Sequence, residues 1–199
     1  QEVAFGVTHI RIDRSVKIIP FRAFYYRTRL VYVETHDKIE KVEGHAFEYC
    51  TSLGGIKLPG VREIEREAFY CCTALTDAES GDELEIIGGN SSHKCNSLRN
   101  IKMPTVRTKG GAFRNCEQLT DVEVPDIDKI GGNAFYECPR LRRIAIPLKG
   151  NIFYLDVDHD APQFDYCHNL TAVDLVGGIH KTISSLYMES WRDTMKEEI

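Results

Sequence analysis

The chain has 199 residues and a formal net charge of -5; 42% of its residues are hydrophobic and 28% are charged. That is ordinary globular composition and excludes an intrinsically disordered chain. The mild acidity disfavours a nucleic-acid partner, whose capture rests on clustered Lys and Arg, and no apolar run reaches the roughly 18–20 residues that span a bilayer.

From the N-terminus, Ile10-Arg11-Ile12 reads as a first short strand, and Ile19 opens a block that recurs along the chain. Leu30 then starts a leucine series continued by Leu53, Leu75, Leu98, Leu119, Leu141 and Leu170, at spacings of 23, 22, 23, 21, 22 and 29 residues. Cys50, Cys72, Cys95, Cys116, Cys138 and Cys167 each stand three residues before one of these leucines; Arg27 holds that place before Leu30. Self-similarity of about 20–29 residues is the period of a leucine-rich-repeat solenoid. We therefore expect an α/β, mostly β, right-handed solenoid of about seven coils over 1–177, with a parallel sheet on its concave face.

Each coil carries two blocks. The first is L-x-x-I-x-L-P, as in Leu53-Gly-Gly-Ile56-Lys-Leu58-Pro59. Its alternating apolar residues predict a half-buried strand, and the following proline ends it for lack of an N–H. The second is I-x-G-x-A-F-x-x-C-x-x-L, as in Ile130-Gly-Gly132-Asn-Ala134-Phe135. Gly44, Gly89, Gly110 and Gly132 suit a turn at positive φ. Phe47, Phe69, Phe113 and Phe135 should form one stacked, buried column. The fourth coil has Ser91-Ser92 where Ala-Phe is expected, which predicts a local core deficit or a side chain borrowed from a neighbouring coil. The last coil carries an insertion at 148–162, a candidate recognition loop. Over 178–199, Ile183, Tyr187, Trp191, Met195 and Ile199 recur at four-residue intervals and predict a short helix. It would cap the solenoid, anchored by Trp191, or begin a longer helix. The chain opens on Gln1 and ends inside that stripe, so it reads as a fragment.

The cysteine ladder reads as buried free thiols. Same-position residues in stacked coils have parallel Cβ vectors about 4.8 Å apart, whereas a disulfide needs Cβ atoms ~3.5–4.5 Å apart and facing each other. Metal sites need clustered ligands, which one cysteine per coil does not supply. Adjacent Cys71 and Cys72 cannot both face inward, so Cys71 is the expected accessible thiol. Unpaired cysteines favour a reducing, intracellular compartment over the cell surface.

These features fit a known family. With Ala-Phe, Cys and Leu recurring in one register over about residues 7–176, the chain resembles the bacterial surface-antigen (BspA-like, Treponema-type) class of leucine-rich repeat. It departs from the commoner leucine-rich pattern, because the Asn/Cys place after the strand is apolar here, as at Val61, Val106 and Ile127. The stretch from Phe164 through His180 to Trp191-Arg192 resembles the solenoid end of diatom members. The bacterial relatives imply an alternative role as a cell-surface adhesin or matrix binder.

No catalytic residue, metal ligand or cofactor motif emerges from the sequence. Asp156, Asp158 and Asp160 alternate like the start of an EF-hand loop, but Ala161 and Cys167 occupy its glycine and glutamate places. The default reading is a solvated acidic loop. The outward strand positions offer Tyr32, Glu34, Lys57, Asp77, Glu79, Lys102, Asp121, Glu123 and Arg143. Their sign alternates from rung to rung, which stabilises stacking and leaves no basic track or aromatic platform on that face. The expectation is a non-enzymatic protein-interaction module that uses this sheet and the 148–162 loop on a protein partner. Regulatory repeats of a larger enzyme are the remaining alternative.

Overall fold

The computed structural model describes residues 4–103, 106–147 and 163–176, together with the strand at 182–184. Stacked short strands build it, and no helix occurs among the described residues. The L-x-x-I-x-L blocks give β1 (His9–Arg11), β3 (Tyr32–Glu34), β5 (Gly55–Leu58) and β7 (Asp77–Ser80), then β9 (Asn100–Lys102), β11 (Asp121–Glu123), β12 (Arg143–Pro147) and β13 (Ala172–Val176). The two groups form the parallel sheets β1-β3-β5-β7 and β9-β11-β12-β13. A second edge holds two-residue strands, β2 (Ile18–Ile19), β4 (Lys41–Val42), β6 (Glu63–Ile64), β8 (Ile86–Ile87) and β10 (Arg107–Thr108), in one parallel sheet. Register repeats by coil: Ile10 opposes Val33, and Val122 opposes Ile144, which opposes Val173. Between the two edges lies a continuous apolar core, in which Leu30, Leu53, Leu75, Leu119 and Leu141 are fully buried.

The Ala-Phe turn is the third side of each coil, and its backbone N–H groups alternate in their use. The N–H groups of Phe24, Phe47 and Phe69 donate to the carbonyls of Ala46, Ala68 and Ser91 in the next coil, at 2.8, 2.7 and 2.7 Å. Those of Ala46, Glu48 and Cys50 instead close tight turns within their own coil, onto Glu43, His45 and Phe47. This alternation requires left-handed residues at two places per turn. One is immediately before the alanine slot, at Arg22, His45, Glu67, Asn90, Gly111 and Asn133; the other is immediately before the cysteine slot. The glycine expectation is thus corrected. Among the described glycines only Gly111 has positive φ, and the positive-φ site lies one residue after Gly44, Gly89, Gly110 and Gly132. Gly44, Gly89 and Gly110 serve close approach: a Cβ on Gly44 would stand 3.3 Å from the Arg66 carbonyl oxygen, and one on Gly110 3.3 Å from that of Gly132.

The cysteine ladder follows from the same turn. Each buried thiol donates to the carbonyl of the Phe-slot residue one coil earlier, at 3.0 to 3.3 Å, from Cys50 onto Phe24 to Cys167 onto Phe135. Phe47 and Phe69 oxygens each accept twice, from the cysteine N–H of their own coil and the thiol of the next. Cysteine fits because it is small, apolar and still a donor.

The phenylalanine column is two stacks, not one. Phe24, Phe47 and Phe69 stack at centroid distances of 5.0 and 5.1 Å, and Phe113, Phe135 and Phe164 at 5.5 and 5.5 Å. Ser92 separates them, so the deficit expected in the fourth coil is real. It extends to the strand side, where Ala78 and Ser80 replace the bulky pair found at Ile56/Leu58 and Val122/Val124. Ala78 is exposed, and β7 does not pair with β9, although β8 still joins β6 to β10. Among the described residues, the buried Ser80 and Ser91 hydroxyl oxygens have no hydrogen-bond partner.

At the other end, Thr182–Ser184 forms β14, antiparallel to β13, with Ile183 opposite Val173. This corrects the helix expected there. The exposed edge of β13 offers unpaired backbone groups, and the β-branched Thr182 and Ile183 favour an extended partner over a helical turn. The cap reading of Trp191 lies outside the described residues, as does the 148–162 loop.

Phe69→Ala should cost ~3–5 kcal/mol, because Phe69 is 1% exposed and its removal leaves a cavity beside Phe47. Denaturant melts decide it: a loss under about 1 kcal/mol would place Phe69 outside the core. A second outcome concerns acid. The Lys41 ammonium, 2.5 Å from Glu65, holds that carboxyl below the usual range, with the Gly44 N–H adding to it. A carboxyl depressed in the folded state stabilises above its unfolded pKa, and loses that contribution as pH falls through the folded value. Glu65→Gln should therefore flatten the acid side of the stability profile, read from thermal melts between pH 7 and pH 3.

Candidate interaction surfaces

Alternation along the strands sends one set of side chains into the core and the other outward. The outward set is wired between coils. Arg11 pairs with Glu34 at 2.8 Å and Lys57 with Glu79 at 2.8 Å. In the second sheet Arg143 bridges Glu123 at 3.1 Å and Asp174 at 2.6 Å, while Lys102 reaches Glu123 at 3.6 Å. Every expected strand residue thus sits on the outward face. Tyr32, Glu34, Lys57, Asp77 and Glu79 also line one shallow hollow of about 300 Å³. Tyr32 among them is 51% exposed. Lys102, Asp121, Glu123 and Arg143 lie on the other sheet, beyond the gap between β7 and β9. Asp156, Asp158 and Asp160 lie outside the described residues.

Two features escaped sequence reading. The edge carrying the two-residue strands has its own charge ladder, with Arg14–Asp37, Lys17–Glu40, Lys41–Glu63 and Arg107–Asp128 at 2.8 to 3.2 Å. The turn edge carries an aromatic run: Tyr26 meets Tyr49 at 4.9 Å, Tyr49 meets Tyr70 at 5.7 Å, and Tyr70 meets His93 at 5.0 Å. Its signal is the aromatic residue inside the two positions between Phe and Cys. At the first coil, this run opens into a hollow of about 780 Å³ lined by Phe5, Phe21, Tyr25 and Tyr26 with Arg22 and Arg27. The Arg27 guanidinium lies 4.3 Å from the Phe5 ring centroid, and Arg22 lies about equally over Phe21 and Tyr25, at 5.1 and 5.0 Å.

The family profile of the BspA-type leucine-rich-repeat region matches residues 4–109 and 105–192, with six copies. The chain belongs to this family. Among solved structures, a leucine-rich-repeat protein of Treponema pallidum (TpLRR) is similar at a TM-score of 0.70 and 25% identity, over 84% of this chain and 79% of that one. A leucine-rich-repeat protein of Bacteroides ovatus is similar at a TM-score of 0.65 and 25% identity, over 86% of this chain but only 43% of its own length. The curated proteins contain no match.

In this BspA-type chain the thiols are segregated by register. Cys50, Cys72, Cys95, Cys116 and Cys138 are fully buried, and Cys167 nearly so, whereas Cys71 occupies the left-handed place before the slot and is only half-buried. Burial pushes Cys50 up to about 12. Burial raises Cys71 as well, with the Lys94 charge opposing. One set of ligand-type side chains also converges among the described residues: His45, Glu48 and Glu67, on the turn edge. Among these residues no helix is long and apolar enough to cross a membrane. A thiol reagent applied to the native, unreduced BspA-type chain should label Cys71 first and spare the ladder. Mass spectrometry showing faster labelling of Cys72 or Cys95 would contradict the register.

Proposed function

We propose that the chain is a non-enzymatic protein-interaction module, and that its partner binds the outward face of β1-β3-β5-β7 together with the 148–162 loop. Solenoids stack their coils into extended binding surfaces. The observation that carries the reading is Tyr32, a half-exposed aromatic lining a hollow whose walls include the charged side chains of Glu34, Lys57, Asp77 and Glu79. Tyrosine is enriched where interfaces concentrate their energy, and a surrounding ring of charges selects register and partner. Lys57 and Glu79 already satisfy each other, so a partner meets a face whose ion pairs are preformed rather than one that must be ordered on binding.

Affinity capture with the intact protein tests this, comparing it with Tyr32→Ala/Lys57→Glu, with a chain lacking 148–162, and with Arg14→Ala/Lys17→Ala on the other edge. Loss of the same specific partners in the first two, with retention in the third, is the expected pattern. A central anchor of this kind should be worth about 2 kcal/mol or more, some thirtyfold in Kd. Identical capture by all four proteins would remove both the sheet face and the loop from recognition.

A further inference from the structure

The turn edge repeats its backbone from coil to coil but not its chemistry. At the left-handed place before alanine, the later coils carry Asn90, Gly111 and Asn133, residues suited to that conformation. The second and third coils instead carry His45 and Glu67, at φ 59° and 56°. Being equivalent positions one coil apart, their side chains leave the turn side by side. Glu48, three residues after His45, joins them.

The geometry is tight. Nδ1 of His45 lies 2.6 Å from Oε2 of Glu48 and 3.3 Å from Oε2 of Glu67. All three ligand atoms fall within 4.8 Å of one another. Glu48 is 9% exposed, and the side chains of His45 and Glu67 are 21% and 15% exposed. Two ligands bound tetrahedrally to zinc at about 2.0–2.1 Å stand about 3.3–3.4 Å apart, so the His45–Glu67 spacing already matches, the His45–Glu48 spacing needs a small opening, and the two carboxylate oxygens lie within 4.8 Å of each other. Arg66 grips Oε1 of Glu67 from Nε and from its terminal nitrogen, at 2.9 and 2.8 Å, and so leaves Oε2 turned to His45. That is how an outer-shell partner orients a ligating carboxylate. On the other side the Phe21 ring stands edge-on to the imidazole at 5.4 Å and walls the recess. Two carboxylates held together in a largely dry recess favour a cation between them.

We propose that His45, Glu48 and Glu67 form a site for a divalent transition-metal ion of the zinc class, with one imidazole nitrogen and two carboxylate oxygens as protein ligands. The fourth position is open to water. A mixed nitrogen and oxygen set selects zinc or cobalt over the all-oxygen preference of calcium. Because its ligands come from two coils, the ion ties one to the next, and binding stabilises the folded chain.

The test is a titration of the whole chain with Co²⁺ and Zn²⁺, followed by calorimetry, Co²⁺ absorption and thermal melts. Two variants, His45→Asn and Glu67→Asn, place at these left-handed positions the residue found at Asn90 and Asn133, so the turn is retained; circular dichroism confirms their fold. Cys71→Ser controls for thiolate binding. The expected result is one ion per chain, a tetrahedral Co²⁺ spectrum without a thiolate band, and a Tm raised by Zn²⁺. Both Asn variants should bind at least tenfold more weakly, with Cys71→Ser unchanged. Equal affinity in His45→Asn overturns the proposal, as does a thiolate band abolished by Cys71→Ser. A wild-type chain that binds no ion also overturns it, and leaves the three groups as a hydrogen-bonded cluster.

Discussion

Every coil must hand half of its turn N–H groups to the next coil, and the rest of the structure depends on that exchange. Buried backbone donors have to be paired. In the Ala-Phe turn they are paired alternately, one inside the coil and one across to its neighbour. This pins two left-handed residues per turn, and it brings the carbonyl of each Phe slot within reach of the following cysteine thiol. From the second coil on, where a preceding coil lies against it, a residue in that slot must be small enough for close-packed coils and still able to donate; Arg27 holds the place only in the first coil. The cysteine period is therefore a consequence of backbone accounting rather than of disulfide or metal chemistry.

In-register parallel stacking sets equivalent side chains one coil apart, so a repeated charge would face its own kind. Opposite signs meet at equivalent positions in Lys57–Glu79 on one edge and Lys41–Glu63 on the other, and where Arg107 opposes Lys129 the neighbouring Asp128 carboxylate pairs with the guanidinium. Such exposed pairs contribute at most about 1 kcal/mol each. The core contributes more, through the stacked phenylalanines and the leucine column. The fourth coil is where the core is thinnest on both sides, at Ala78 and Ser80 on one and at Ser92 on the other. The strand-face sheet parts at this coil while the opposite edge runs through.

With its core facing inward, the coil has three outer sides, and each carries different chemistry. The strand face offers charged pairs around Tyr32, the opposite edge a second charge ladder, and the turn edge rings and ligating groups. The repeat imposes the backbone on all three and leaves the outward residues free to vary, which is how one scaffold presents a specific surface.

The sequence alone determined the period, the strand blocks, the inward leucine and cysteine columns, and the weak fourth coil. These are one-dimensional facts: apolar residues recurring at a fixed spacing have only one stacked arrangement that buries them all. The alternation of charge along the strands was legible for the same reason. Only the tertiary structure decided the role of the glycines. Gly44 and Gly110 mark close approach to the next coil rather than positive φ, and composition cannot separate those two uses of glycine. Nor could four-residue spacing anticipate that Thr182–Ser184 pairs with the edge of β13, because an open sheet edge overrides a marginal helical pattern. The meeting of His45, Glu48 and Glu67 was equally hidden. It joins residues up to 22 apart through the stagger of two turns, and that distance exists only once the coils are stacked.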